Sequence, residues 1–227
     1  MKCRPISTNF IALTLVEVLV VILAMVVVLG LLLPGLPSTR RRRPTASGYC
    51  IMNLRILGTA FRLWGDDNGD HYPMHLVGNP NCPQLKPTTS WKGQLMDYAD
   101  ASLYFQAISN ELNTPKLVAC PSDDRQPATN FASLVNSNVS YFVGLDANEE
   151  MPKMLLAGDH NVVIKGITVS SGFLGITNTN AVGWSKKIHN LSVNVTMADG
   201  SAQKLSVEQL EQAIGETGTN VNRLVFP

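Results

Sequence analysis

From Leu13 to Leu33 the only polar side chains are Thr14 and Glu17, and about sixteen of the 21 positions are Leu, Ile or Val. At about 1.5 Å per residue, a helix of this length matches the roughly 30 Å hydrocarbon core of a bilayer. Those aliphatic residues contribute on the order of −5 to −9 kcal/mol to insertion, against about 3 kcal/mol for one carboxylate. The segment is therefore expected to insert in spite of Glu17. A second pattern follows at 49–64, where Cys50, Leu54, Leu57, Phe61 and Trp64 recur at alternating steps of four and three. That spacing predicts an amphipathic helix, with Arg55 and Arg62 off the apolar stripe and Cys50 read as a small buried hydrophobe.

Beyond it the pattern shortens. Residues 92–112 predict a helix. Leu117–Cys120, Val139–Val143, Met154–Ala157 and Val162–Val169 predict strands, from β-branched residues set between turn signals. Ser192–Met197 alternates, Asp199-Gly200 turns the chain, and Ala202–Leu205 returns, which predicts a hairpin. Ser206 then opens a short helix to Ile214, with Gln209 completing a capping box. The expected class is α+β, with an antiparallel sheet.

Composition adds limits. The chain has 227 residues, a net charge of +1 and only 15% charged residues. Such a balance gives no basic field for nucleic acid. No nucleophile elbow, P-loop, H-E-x-x-H, C-x-x-C or G-x-G-x-x-G occurs, so no enzyme is expected. Of the four cysteines, Cys3 precedes the apolar run. Cys82 and Cys120 both lie in Pro-flanked, loop-like sequence and form the candidate disulfide. In Gly65–His75, Asp66, Asn68 and Asp70 alternate like the first ligands of a calcium loop. The Gly and Glu that such a loop needs at its sixth and twelfth positions are His71 and Val77, so the alternative is an Asx-rich turn. Calcium is the one cofactor that the sequence leaves open. His71 and His75 have zinc-like spacing, but Pro73 breaks the helix that would align them.

The first segment resembles the amino terminus of type IV prepilins and type II secretion pseudopilins. Their pattern is a short basic leader, a small residue, a cut, then hydrophobic-Thr-Leu-hydrophobic-Glu. Here Lys2 and Arg4 stand in the leader, Ala12 precedes the cut, and Leu13, Thr14, Leu15, Val16 and Glu17 follow. Pro34 stands where that family has a helix-bending proline. CIMNLRILGTAFRLWGDDNGDHYP and FQAISNELNTPKLVACPSDDRQPA resemble further pilin-like segments, and His189 with Asp199-Gly200 makes the H-x9-DG pattern found near the end of many of them. A histidine anchoring the hairpin's base is the structural alternative for His189. Ala12 departs from the usual Gly, and Leu13 from the usual Phe.

The resemblance implies a leader at 1–12, a transmembrane and filament-core helix at 13–36, and a basic segment with the second half of that long helix at 37–64. An extracytoplasmic head at 65–227 completes it. It implies cleavage at Ala12–Leu13 by prepilin peptidase, N-methylation of Leu13, and Glu17 paired with a neighbour's amino terminus in a pilus or pseudopilus. Partners would be the peptidase, other subunits and the bacterial inner membrane. The Arg40–Arg43 run argues for the opposite orientation by charge counting, and the motif is taken to decide. The alternative is a single-pass anchored binding module, for instance for a glycan, that does not polymerise.

Overall fold

The computed structural model describes residues 14–32, 45–76, 100–169, 171–177, 182–185, 187–189 and 192–227. The chain divides into two compact units, 1–43 and 44–227.

In the first unit, α1 spans Leu15–Leu32. Thr14 and Glu17 close its amino-terminal end: the Thr14 backbone N–H and Oγ1 both donate to Glu17 Oε2 at 2.8 Å. The Glu17 N–H donates back to Thr14 Oγ1 at 3.4 Å. This is a capping box, Thr-x-x-Glu, which satisfies helix-start N–H groups that have no partner inside the helix. At 18 residues α1 is about 27 Å long. Among the described residues no helix is long and apolar enough to cross a membrane. The expected single long helix running into the head is not found. Two separate helices are described, and the second has its own start. Ala12, Leu13 and Pro34 lie outside the described residues.

The second unit opens with α2, Ala46–Asp67, N-capped by Thr45, whose side chain accepts from the Gly48 N–H. It is longer than expected at both ends and belongs to the head rather than to the preceding segment. The expected stripe of Cys50, Leu54, Leu57, Phe61 and Trp64 is buried, as periodicity requires. The helix expected at 92–112 is two short ones, α3 at Ala101–Ala107 and α4 at Ser109–Leu112; residues 92–99 are outside the described set. Asp100 caps α3 through the Ser102 N–H, which gives a physical start at 100.

A six-stranded antiparallel sheet forms the body. It comprises β1 (Tyr141–Gly144), β2 (Leu155–Asp159), β5 (Gly172–Ile176), β7 (Val193–Met197), β8 (Ala202–Leu205) and β9 (Asn222–Phe226), in the order β5-β9-β1-β2-β7-β8. A three-stranded sheet pairs β3 (Val162–Ile164) with β4 (Ile167–Thr168) and β6 (Val182–Trp184). β1, β2 and β7 are buried along their whole length, since both sheet faces are covered. On one face a core including Leu54, Phe61, Phe105, Tyr141 and Leu156 sits under α2 and α3. On the other, Phe142, Trp184, Val195, Leu210 and Phe226 pack under α5, Val207–Glu216. α5 starts at the expected capping box of Ser206 and Gln209.

Two expected strands change. Leu117–Cys120 is not a strand, because Pro115 with the Thr114 cap starts a 3-10 turn over Pro115–Val118. Val162–Val169 splits into β3 and β4, because Lys165 and Gly166 take positive φ values of 49° and 81° and reverse the chain.

α2 lies directly on the β7–β8 turn. A Cβ built on Gly58 would stand 2.6 Å from Thr196 Oγ1 and 2.9 Å from Gly200 Cα. Gly58→Ala is therefore expected to cost roughly 1–3 kcal/mol by overpacking, in spite of alanine's better helix propensity. A urea midpoint that rises for this variant would show that the helix is not seated there.

Candidate functional site

The structure changes the expected disulfide. Cys120 pairs with Cys50, with Cα atoms 5.1 Å apart, and not with Cys82, which lies outside the described residues. The reason is the stripe itself. It aims Cys50 from α2 into the core, where Cys120 arrives from the turn after Pro115–Val118. The Asn53 side chain, one turn along α2, donates to the Ala119 carbonyl at 3.2 Å and holds the two segments together.

Around the disulfide is a buried polar cluster. His189 Nε2 lies 3.3 Å from Cys120 Sγ and 3.5 Å from Asp159 Oδ2, and the His189 and Asp159 side chains are 1% and 0% exposed. Asp159 ends β2, beside Asn194 of β7. Its Oδ2 accepts from the Asn194 backbone N–H at 2.7 Å and from Asn194 Nδ2 at 3.0 Å. Its Oδ1 is buried and has no hydrogen-bond partner among the described residues. Burial pushes the Asp159 carboxyl up to about 7 and lowers His189. His189 itself has φ +56°, an uncommon conformation for a residue with a side chain.

A second polar group, at the adjoining His160, is more ordinary. His160 Nε2 lies 2.9 Å from Asp123 Oδ2, and Arg125 Nε lies 3.8 Å from the same oxygen. Burial, the largest single influence, would raise the Asp123 carboxyl, but the hydrogen bonds from His160, Ser140 and the Asp124 N–H and the nearby His160 charge together outweigh it and bring the group down to about 2. A depressed carboxyl contributes stability above its unfolded value, near 4, that is lost as pH falls towards 2. Asp123→Asn should therefore cost about 1–2 kcal/mol at neutral pH and flatten the acid limb between about pH 4 and pH 2. Urea unfolding across that range checks it; parallel curves for the two proteins would contradict it.

The structure does not bring His189 and Asp199 together. They flank opposite ends of β7, His189 before it and Asp199 in the turn beyond it. Asp199 Oδ1 accepts from the Ser201 N–H at 2.8 Å, Gly200 has φ +81°, and the Asp199 carbonyl accepts from Arg62 at 3.2 Å. Tyr72, beyond α2, donates to the neighbouring Ala198 carbonyl at 2.7 Å. The D-G end thus docks the helix.

The candidate calcium ligands are also rearranged. Asn68 donates its side chain to the Trp64 carbonyl at 2.7 Å, closing α2. Asp66 and Asp70 instead come within 4.8 Å of Glu149, from the loop after β1. His71 and His75 stack edge to face, with ring centroids 6.4 Å apart.

The chain matches no known family, no curated protein and no solved structure.

Two features lay unread in the sequence. Thr14-Leu15-Val16-Glu17 is itself a capping box, legible from its spacing alone. Asp159 has no motif around it, and only the pairing of β2 with β7 places it beside Asn194 and His189.

Proposed function

We infer that the chain is a pilin-like structural subunit, anchored through α1 and assembled with other subunits into a pilus or pseudopilus. The observation that carries this reading is the surface of α1. Leu15, Val16 and every described Leu, Ile, Val and Met from Val18 to Leu29 are exposed. A surface that apolar is stable only against lipid or other helices. The Thr14–Glu17 cap adds to it, since it holds the one carboxylate at the end of α1 nearest Leu13. In this reading cleavage after Ala12 frees an amine on Leu13, and Glu17 of one subunit meets that amine on the next. Each charge is costly alone in hydrocarbon, and the pair offsets both. α2 supports the reading with an outer face that exposes Tyr49, Met52, Ile56 and Leu63 at helical spacing.

A cavity of about 310 Å³, lined by Arg125, His160, Asn161 and Lys187 together with Val169 and Phe226, favours the second reading of an anchored binding module. Crosslinking of intact cells separates the two. The subunit reading expects a ladder of crosslinked species containing this chain. A monomer alone at every crosslinker dose would favour the binding module.

A further inference from the structure

The two edges of the six-stranded sheet are built differently. β8, at one end, exposes Gln203 and Lys204, and an edge lysine is a common guard against further pairing. β5, at the other end, reads Gly-Phe-Leu-Gly-Ile, with no charge and no proline. No charged residue occurs anywhere from 166 to 185. Phe173 on this edge is 51% exposed, and Val221, next to β9, is 43% exposed.

β5 also offers its backbone. The Leu145 N–H donates to the Arg223 carbonyl at 2.8 Å, so Arg223 turns its peptide groups towards β1. Gly175 lies opposite Arg223, and Phe173 lies two residues earlier. By the alternation of an antiparallel ladder, both point their N–H and C=O groups away from β9 and out of the sheet. Among the described residues no strand meets them there.

We propose that β5 is a docking edge for a second copy of this chain: two heads pair through β5 as antiparallel strands about a two-fold axis at Leu174, and their sheets become one.

The strand is self-complementary about that axis. Phe173 falls opposite Gly175 of the second copy, Ile176 opposite Gly172, and Leu174 opposite itself. Each bulky side chain beside the axis thus meets a glycine. Phe173 and Gly175 make the hydrogen-bonded pairs, with four bonds in all. Those four take up every outward N–H and C=O of both residues in both copies. An aromatic ring laid over a cross-strand glycine is a stabilising arrangement at a sheet edge. Here the ring also reaches Val221 and Arg223 of the second copy. A Cβ on Gly175 would lie 3.0 Å from Val221 Cγ1, and the Arg223 side chain, half exposed and paired with Asp146, shares the face of Gly175. A guanidinium against a ring face adds electrostatic attraction.

Charge selects the partner as well. In a symmetric contact, a charge near the axis meets its own like. β5 carries none, whereas pairing through β8 would bring one Lys204 towards another. Leu174 packs at the margin of the core under α5, so the pairing continues that core from one head into the next. The contact lies within the head and does not depend on how α1 assembles.

The test uses the full chain in detergent with Cys3→Ser and Cys82→Ser, kept oxidised so that Cys50–Cys120 stays closed. Leu174→Cys is added to this background. The two introduced thiols would face each other across a non-hydrogen-bonded pair, with Cα atoms about 4.5 Å apart, a spacing that a disulfide spans. Mild copper-phenanthroline oxidation is expected to give a linked dimer, with peptide mapping placing the bond between the two Leu174→Cys positions. Gln203→Cys, on the β8 edge, should give about tenfold less dimer or lower. Adding Phe173→Lys to Leu174→Cys should cut the yield by about tenfold or more, because it sets a lysine on the edge. Its circular dichroism and urea midpoint should not change, since Phe173 is half exposed. A Leu174→Cys yield no higher than that of Gln203→Cys in folded protein would overturn the proposal. So would a yield that Phe173→Lys leaves unchanged, or a mixture of the two cysteine variants that links mainly β5 to β8.

Discussion

Replacing Glu17 with Gln is expected to leave α1 helical and inserted but to abolish incorporation into crosslinkable assemblies, a drop of about tenfold or more in the assembled fraction. Gln keeps an oxygen that accepts from the Thr14 N–H and Oγ1, so the cap seen at 2.8 Å survives. What it removes is the charge that would meet a neighbour's amino terminus. Glu17→Ala removes both, and adds about 1 kcal/mol of lost capping to the same assembly defect. The pair of variants divides the two roles of one carboxylate. If Gln assembles normally and Ala does not, Glu17 is a cap and nothing more. Circular dichroism in micelles reports the helix, and crosslinking in membranes reports assembly.

The second large effect concerns the disulfide. Cys50→Ala is expected to lower head stability by about 3–4 kcal/mol. The bond closes a loop of 70 residues, for which chain entropy alone gives about 4 kcal/mol. Cys82→Ala should leave the disulfide intact, because Cys120 is paired with Cys50. Peptide mapping of non-reduced protein gives the pairing, and urea midpoints give the cost. A Cys82–Cys120 peptide, or a Cys50→Ala midpoint equal to the parent's, would contradict the arrangement.

These cases show where the chain is legible. The stripe from Cys50 to Trp64 reads directly as a buried helical face, because its period depends only on helix geometry. Ser206 and Gln209 likewise announce α5, and the Asp199-Gly200 turn announces β7 and β8. The same local logic fails where long-range pairing decides. Cys82 and Cys120 share Pro-flanked surroundings, yet the pairing follows which sulfur α2 delivers to the Cys120 turn. Asn222–Phe226 pairs with both Gly172–Ile176 and Tyr141–Gly144, partners far away in sequence, and nothing local marks that edge. Thr14–Glu17 failed for the opposite reason. Its signal is local, but a carboxylate in an apolar run draws attention to the membrane rather than to the helix start.

The candidate site divides in the same way. His189 and Asp199 stand ten residues apart in the sequence pattern, but five-residue β7 lies between them. One residue therefore serves the disulfide cluster and the other the docking of α2. A fixed spacing between two residues on either side of a strand records the length of that strand, not a shared chemistry.

The measurement that tests the central claim most directly is the intact mass of the protein recovered from membranes of its own host. Processing as a pilin-like subunit predicts a chain that begins at Leu13 and carries one added methyl group. A full-length mass, with Ala12 and the leader retained, would contradict the assembly account and leave α1 as a plain anchor.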